Sequence, residues 1–187
     1  KTLTTGEGGM ILFKKKENYL RCLNLRDHGM DTKKKYWHDN VGYNFRMTNM
    51  QAALGISQMN KLDDFVSERH KIAKMYNKTL SSFDYVITPY QDPNTYSSFH
   101  LYIIRINQET GKNRKVIFER FRNNGINVNI HYIPVYKQPF YKQFNYKELP
   151  NSEKYYSEAI SIPIFPGLNK KQFQFIIKTL DSEQDYQ

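Results

Sequence analysis

At 187 residues the chain is long enough for one or two domains, and 39% hydrophobic with 25% charged residues is the balance of a folded globular protein rather than a disordered one. No apolar run approaches the roughly 18–20 residues a membrane span needs, and the single cysteine, Cys22, excludes an intrachain disulfide and a cysteine-based zinc cluster and fits the cytoplasm. A net charge of +10 and a pI of about 9.5 invite a nucleic-acid-binding module, but the lysines are scattered apart from residues 14–16 and 33–35, and basic stripes rather than basic totals mark such sites.

The chain opens on Lys1 in an already organised, Gly-rich polar segment, which suggests that it continues a longer protein. Residues 10–13 read as a short buried strand bounded by charge. Residues 17–26 predict a helix with Tyr19, Leu20, Cys22 and Leu23 inward, closing near Gly29, and residues 30–43 break into a charged, aromatic loop. Thr48 and Gln51 have the spacing of a capping box, and Met50, Leu54, Met59, Leu62, Phe65, Val66, Ile72 and Met75 continue behind it. That pattern predicts one helix of about thirty residues to Leu80, roughly 45 Å long and suited to a partner subunit. Residues 82–98, with Pro89, Pro93 and several Asn and Asp, are the expected linker between residues 1–81 and a small domain of residues 99–187.

Beyond it the expected elements alternate. They are a strand at 101–106, a helix at 114–124 stopped by Gly125, a strand at 126–133, a Tyr- and Pro-rich loop at 134–144, a short helix from Asn151, a strand at 160–165, a helix from Asn169 to about Leu180 and a polar tail at 181–187. The fold class is α/β.

Four strings go further than periodicity. Lys1-Thr2-Leu3-Thr4-Thr5-Gly6-Glu7-Gly8-Gly9 is followed, in order, by Arg26-Asp27-His28-Gly29, by Gly42-Tyr43-Asn44-Phe45-Arg46-Met47-Thr48 running into Gln51-Ala52-Ala53-Leu54-Gly55, and by Ser98-Phe99-His100-Leu101-Tyr102. Together they resemble the sugar-nucleotide aminotransferases of the DegT/DnrJ/StrS type over essentially the whole chain through Leu180. The resemblance implies the C-terminal half of a fold-type I enzyme dependent on pyridoxal 5'-phosphate (PLP): the end of a large domain, a long linking helix and a small α/β domain. It implies Lys1 as the Schiff-base lysine, a role that needs an amine with reach and a tunable pKa. Asn44 and Arg46 then resemble positions that reach across a homodimer interface to the neighbouring subunit's cofactor phosphate and substrate, for which an amide and a guanidinium are fit donors. Without the resemblance, Lys1 is a solvated terminal lysine, Asn44 turns the chain and Arg46 pairs with a surface acid. Glu7, between glycines, reads as a structural carboxylate or less readily as a catalytic one.

The stretch Asn129-Ile130-His131-Tyr132-Ile133-Pro134-Val135-Tyr136-Lys137-Gln138-Pro139-Phe140-Tyr141 resembles the loop of the family branch serving pseudaminic acid biosynthesis. That branch aminates C4 of a UDP-linked 4-keto-6-deoxy-N-acetylhexosamine, with L-glutamate the family's usual donor. His131 and Tyr132 are then expected at the sugar or diphosphate and Tyr136 with Tyr141 at the nucleotide entrance, since aromatic faces with polar tips suit sugar rings. The plain alternative is that these tyrosines pack the small domain. His28 lies before the basic residues 33–35, within reach of a diphosphate, or merely ends a helix. His38, His70 and His100 have no ligand-like spacing with acids, so no metal is expected, and Cys22 reads as core. Three rivals stay open: a perosamine-type 4-aminotransferase, a PLP-dependent sugar dehydratase (which Lys1 argues against) and a non-enzymatic nucleotide or nucleic-acid binder.

Overall fold

The computed structural model describes residues 1–182, so the polar tail expected at 181–187 lies largely outside the described residues. Two compact units divide between Leu62 and Asp63, with Thr2 grouped with the second.

The first unit holds α1 (Lys16–Arg26) and α2 (Asn49–Met59). The capping box forms as its spacing predicts: the Thr48 hydroxyl accepts from the Gln51 N–H at 3.3 Å while Gln51 Oε1 accepts from the Thr48 N–H at 3.0 Å. The expected thirty-residue helix does not form. It breaks at Asn60 and Lys61, where the N–H of Lys61 turns to Gln58 at 3.1 Å, and a new helix, α3 (Leu62–Leu80), begins with Asp63 and Asp64 in its first turn. Asn is a poor interior helix residue, and two carboxylates favour a helix start at that point. The strand expected at 10–13 is also absent: Met10, Ile11 and Leu12 stand exposed, and no strand lies beside them among the described residues to pair their backbone groups. Tyr19 and Leu20, expected inward on α1, are half-exposed, because α1 buries none of its residues within this unit.

The second unit contains nearly all of α3, then β1 (Val86–Ile87), β2 (Tyr102–Ile106), α4 (Arg114–Asn123), α5 (Pro150–Glu158), β3 (Ala159–Ile162) and α6 (Lys170–Asp181). The strands form one antiparallel sheet in the order β1-β2-β3, with Ile104 opposite Ile160 and Ile103 opposite Ser161. Along β2, Tyr102, Ile104 and Ile106 are fully buried and alternate with half-buried neighbours, the signature of one face on a core. Against that face pack Ile72, Tyr76 and Leu80 of α3, Ile117 and Phe121 of α4, and Phe173, Ile176 and Leu180 of α6. Asn113 caps α4, Gly125 (φ +73°) ends it, and Asn169 and Gln172 form a second capping box at α6. Residues 82–98, read from the sequence as a linker, lie inside this unit and supply Tyr85 and Val86 to its core.

The strand expected at 126–133 reduces to a single bridge between Asn129 and Ser161; Ile126 and Val128 are buried, whereas Tyr132 is exposed. The Asn129 side chain accepts from the Ile130 N–H at 2.8 Å, a local bond that competes with a continuing ladder.

Arg69, on the buried face of α3, donates through Nη1 to the carbonyls of Ile164 at 2.8 Å, Phe99 at 3.0 Å and His100 at 3.3 Å. Burial lowers its pKa. Replacing Arg69 by Met removes the donor while keeping the stem, and each orphaned buried carbonyl costs roughly 1–3 kcal/mol. Urea unfolding of Arg69→Met is expected to show a loss of at least about 2 kcal/mol; a smaller loss means these carbonyls find water instead.

Candidate active site

In the first unit the Gly-rich segment after Lys1 is ordered by its own threonines. The Thr4 hydroxyl accepts from the Gly6 N–H at 3.1 Å, and the Thr5 hydroxyl donates to the Glu7 carbonyl at 2.9 Å. A Cβ on Gly8 would lie 2.4 Å from the Thr5 hydroxyl and 2.8 Å from the Met47 methyl, so this turn packs closely on the entry to α2. Lys1 is exposed at the head of the turn, and its ammonium has no bonding partner among the described residues. Glu7 is exposed as well.

His28, Asn44 and Arg46, predicted one by one from two separate strings, meet around one carboxylate. Arg46 Nη1 lies 3.3 Å and His28 Nε2 4.0 Å from Asp27 Oδ1, while Arg46 Nε donates to Asn44 Oδ1 at 3.1 Å. A β-bridge joins Asp27 to Asn44, and the N–H groups of His28 and Phe45 reach the carbonyls of Tyr43 and Arg26. The Asn44 side chain is thereby turned with its carbonyl oxygen on Arg46, which leaves its amide N–H groups as donors. Asp27 is the member the sequence reading missed. It stood within a matched string, but its role depends on a residue nineteen positions away, which no local pattern reveals. Beside it a cavity of about 470 Å³ is lined by Arg26, Asp27, Asp31, Lys33 and Lys35.

Amine, amide and guanidinium make a donor set that fits PLP: Lys1 supplies the nucleophilic nitrogen an aldehyde needs, and Asn44 and Arg46 are suited to phosphate oxygens.

In the second unit His131 Nδ1 lies 2.7 Å from the Ser161 hydroxyl, and its ring meets Tyr132 edge-on at 4.5 Å. Tyr132 is 69% exposed and so does not pack the small domain. His131 and Ser161 line a cavity of about 500 Å³ together with Asn127, Asn129, Phe165 and Gln172. Tyr136 does not line it. Its hydroxyl donates to Glu153 and accepts from the Leu149 N–H at 3.2 Å, and Glu153 also binds the Lys137 ammonium. Tyr141 lies in an exposed aromatic group with Phe140 and Phe144.

Comparison with known proteins identifies the family to which the chain belongs. The model of the DegT/DnrJ/EryC1/StrS aminotransferase family matches residues 1–181. The chain is 34% identical over 182 residues to the GDP-perosamine synthase of Escherichia coli O157:H7, covering 97% of this chain and 48% of that protein. It is 34% identical over 191 residues to the UDP-4-amino-4,6-dideoxy-N-acetyl-beta-L-altrosamine transaminase of Campylobacter jejuni (strain 81-176), covering 97% of this chain and 49% of that protein. Among solved structures, the Helicobacter pylori PseC aminotransferase involved in the biosynthesis of pseudoaminic acid superposes with a TM-score of 0.89 at 31% identity, over 96% of this chain and 49% of that one. The chain thus spans about half the length of the relatives it matches.

The Tyr136–Glu153–Lys137 cluster makes the loop before α5 sensitive to pH. Hydrogen bonds from Lys137 and then Tyr136 hold the Glu153 carboxyl below its ordinary pKa, so its contribution is present above the normal carboxylate range and lost as pH falls through the depressed value. Lys137, raised by its bond to Glu153, and Tyr136, raised by desolvation and by the same acid, contribute below their ordinary values and lose that contribution as pH rises through the raised ones. Amide exchange over residues 136–149, corrected for its intrinsic pH dependence, is therefore expected slowest near neutrality and faster at both extremes. Glu153→Gln should exchange fast already at neutral pH; wild-type-like exchange in that variant would show that the acid does not hold the loop.

Proposed function

We propose, on the premise that this chain belongs to the DegT/DnrJ/EryC1/StrS aminotransferase family, that the protein containing it is a PLP-dependent aminotransferase of nucleotide sugars. Its reaction in this reading moves an amino group from L-glutamate to the C4 keto group of a UDP-linked 4-keto-6-deoxy-N-acetylhexosamine. The observation that carries the reading is the exposed Lys1 amine at the head of a threonine-ordered turn packed against the entry to α2, the helix that follows Asn44 and Arg46.

When bound, PLP would supply an aldehyde that takes the amino group from the donor and returns it to the acceptor, and a ring that acts as the electron sink. Lys1 Nζ holds the cofactor between turnovers and carries the proton to or from the amino-bearing carbon in both half-reactions. Asn44 donates to phosphate oxygens of the cofactor across a homodimer interface. Arg46, oriented by Asp27, and His28 face the anionic part of the substrate, His131 and Tyr132 approach the sugar or diphosphate, and Tyr136, its hydroxyl held by Glu153, stands at the nucleotide entrance. Met50, Ile56 and Met59, exposed along α2, support a dimer through that helix, since exposed apolar groups in series mark interaction surfaces. In the whole protein the first unit would belong to the end of the large domain and the second unit would form the small one. One cysteine, Cys22, supports a cytoplasmic location.

A perosamine-type reaction is the second reading, favoured by the equal 34% identity to the Escherichia coli perosamine synthase. The stretch from His131 to Tyr141 favours the UDP-linked substrate.

In the full-length protein a visible band bleached by borohydride is expected, with the pyridoxyl mass on the peptide that starts at Lys1. Lys1→Ala should abolish both label and turnover. Asn44→Ala should release cofactor about tenfold more readily, the size of one hydrogen bond to a charged group. A colourless protein that stays unlabelled with excess PLP removes the aminotransferase reading.

A further inference from the structure

Ser161 is out of place by composition. It sits in β3 between Ile160 and Ile162, is only 6% exposed, and a buried hydroxyl is costly unless it is bonded. Its one hydrogen-bonding partner among the described residues is His131 Nδ1, at 2.7 Å. Two backbone bonds between Asn129 and Ser161, at 2.8 and 3.3 Å, fix the chain two residues upstream of the histidine. The strand thus holds both the backbone that leads to His131 and one of the two polar atoms of its ring.

We propose that Ser161 is a positioning residue for His131: its hydroxyl donates to Nδ1, so the neutral imidazole carries its proton on Nε2 and offers that N–H to an oxygen of the nucleotide sugar. A neutral histidine has one donor and one acceptor nitrogen, and the bond made by one sets the role of the other. Sugar hydroxyl, carbonyl and phosphate oxygens all accept, so a substrate-facing imidazole serves best as a donor. Both side chains line the cavity of about 500 Å³, where His100, Asn127, Asn129 and Gln172 add further polar groups to a largely apolar wall. The inference rests on the proposed place of His131 in substrate binding.

The test uses the full-length holoenzyme. Nitrogen-15 spectra of His131 are expected to show the proton on Nε2 in the wild type and to lose that preference in Ser161→Ala. The same variant should raise KM for the keto sugar nucleotide about tenfold, while the half-reaction with glutamate, followed by cofactor absorbance, stays within about twofold. Ser161→Thr, which keeps the hydroxyl in a strand-compatible side chain, should restore both KM and tautomer, and Ser161→Ala should add nothing in a His131→Ala background. A proton on Nδ1 in the wild type, or a KM raised by His131→Ala but not by Ser161→Ala, overturns the inference alone. A KM unmoved by His131→Ala overturns it together with the role of His131 in substrate binding, while borohydride labelling of Lys1 still reports on the aminotransferase chemistry.

Discussion

One buried guanidinium organises the second unit. Arg69 gathers the carbonyls of Phe99, His100 and Ile164, residues that lie just before β2 and just after β3. At those points the chain leaves the sheet and its ladder, so the carbonyls have no strand partner, and a donor brought in on α3 satisfies them. Among the described residues no carboxylate pairs with the cation; carbonyl dipoles solvate it, and burial lowers its pKa. Fixing the exit of β3 fixes Ser161 within it, and through the Asn129 bridge the approach to His131.

In the first unit, close backbone approach does the corresponding work. A Cβ on Gly29 would lie 1.9 Å from the Asn40 carbonyl oxygen, and one on Gly42 would lie 2.1 Å from the Gly29 nitrogen, so both positions admit only glycine. That crossing draws residues 27–30 and 42–45 together and sets Asp27 Oδ1 3.3 Å from Arg46 Nη1, with His28 Nε2 4.0 Å away. The donors suited to an anionic ligand are arranged by an acid that itself need not touch the ligand.

The parts of the structure that follow local rules were legible from the sequence. Thr48 with Gln51, Asn169 ahead of α6 and Gly125 behind α4 each specify their boundary through side-chain or backbone chemistry within a few residues. The failures share a different cause. Residues 10–13 have the composition of a strand but no neighbouring strand among the described residues, and Asn60 interrupts an apolar series that ran on without regard to it. Among the site residues, Lys1, Asn44 and Arg46 came from a resemblance between strings. Asp27, Glu153 and Ser161 did not, because each acts through a partner between sixteen and thirty residues away. Ser161 in an apolar strand was the one visible signal: a hydroxyl where burial demands a partner.

The charge of the chain takes its meaning from the same partners. Several acids in this fold are engaged internally: Asp27 with Arg46, Asp31 with the N–H groups of Lys33 and Lys34, Glu153 with Lys137, and Glu158 with Arg105. They position loops rather than neutralise a surface, and Asp31, lowered chiefly by its bonds to those two backbone N–H groups, holds residues 33–35 in one conformation with their side chains exposed. The net charge of +10 is the formal excess of 28 Lys and Arg over 18 Asp and Glu, and its cations lie in separate places, with Lys34 over Trp37 as one of them. A polynucleotide needs a continuous track of cations, whereas a sugar diphosphate needs two or three held still. With the backbone of residues 33–35 held by Asp31 and Lys34 stacked over Trp37, this basic group is a fixed local feature and not part of a continuous track.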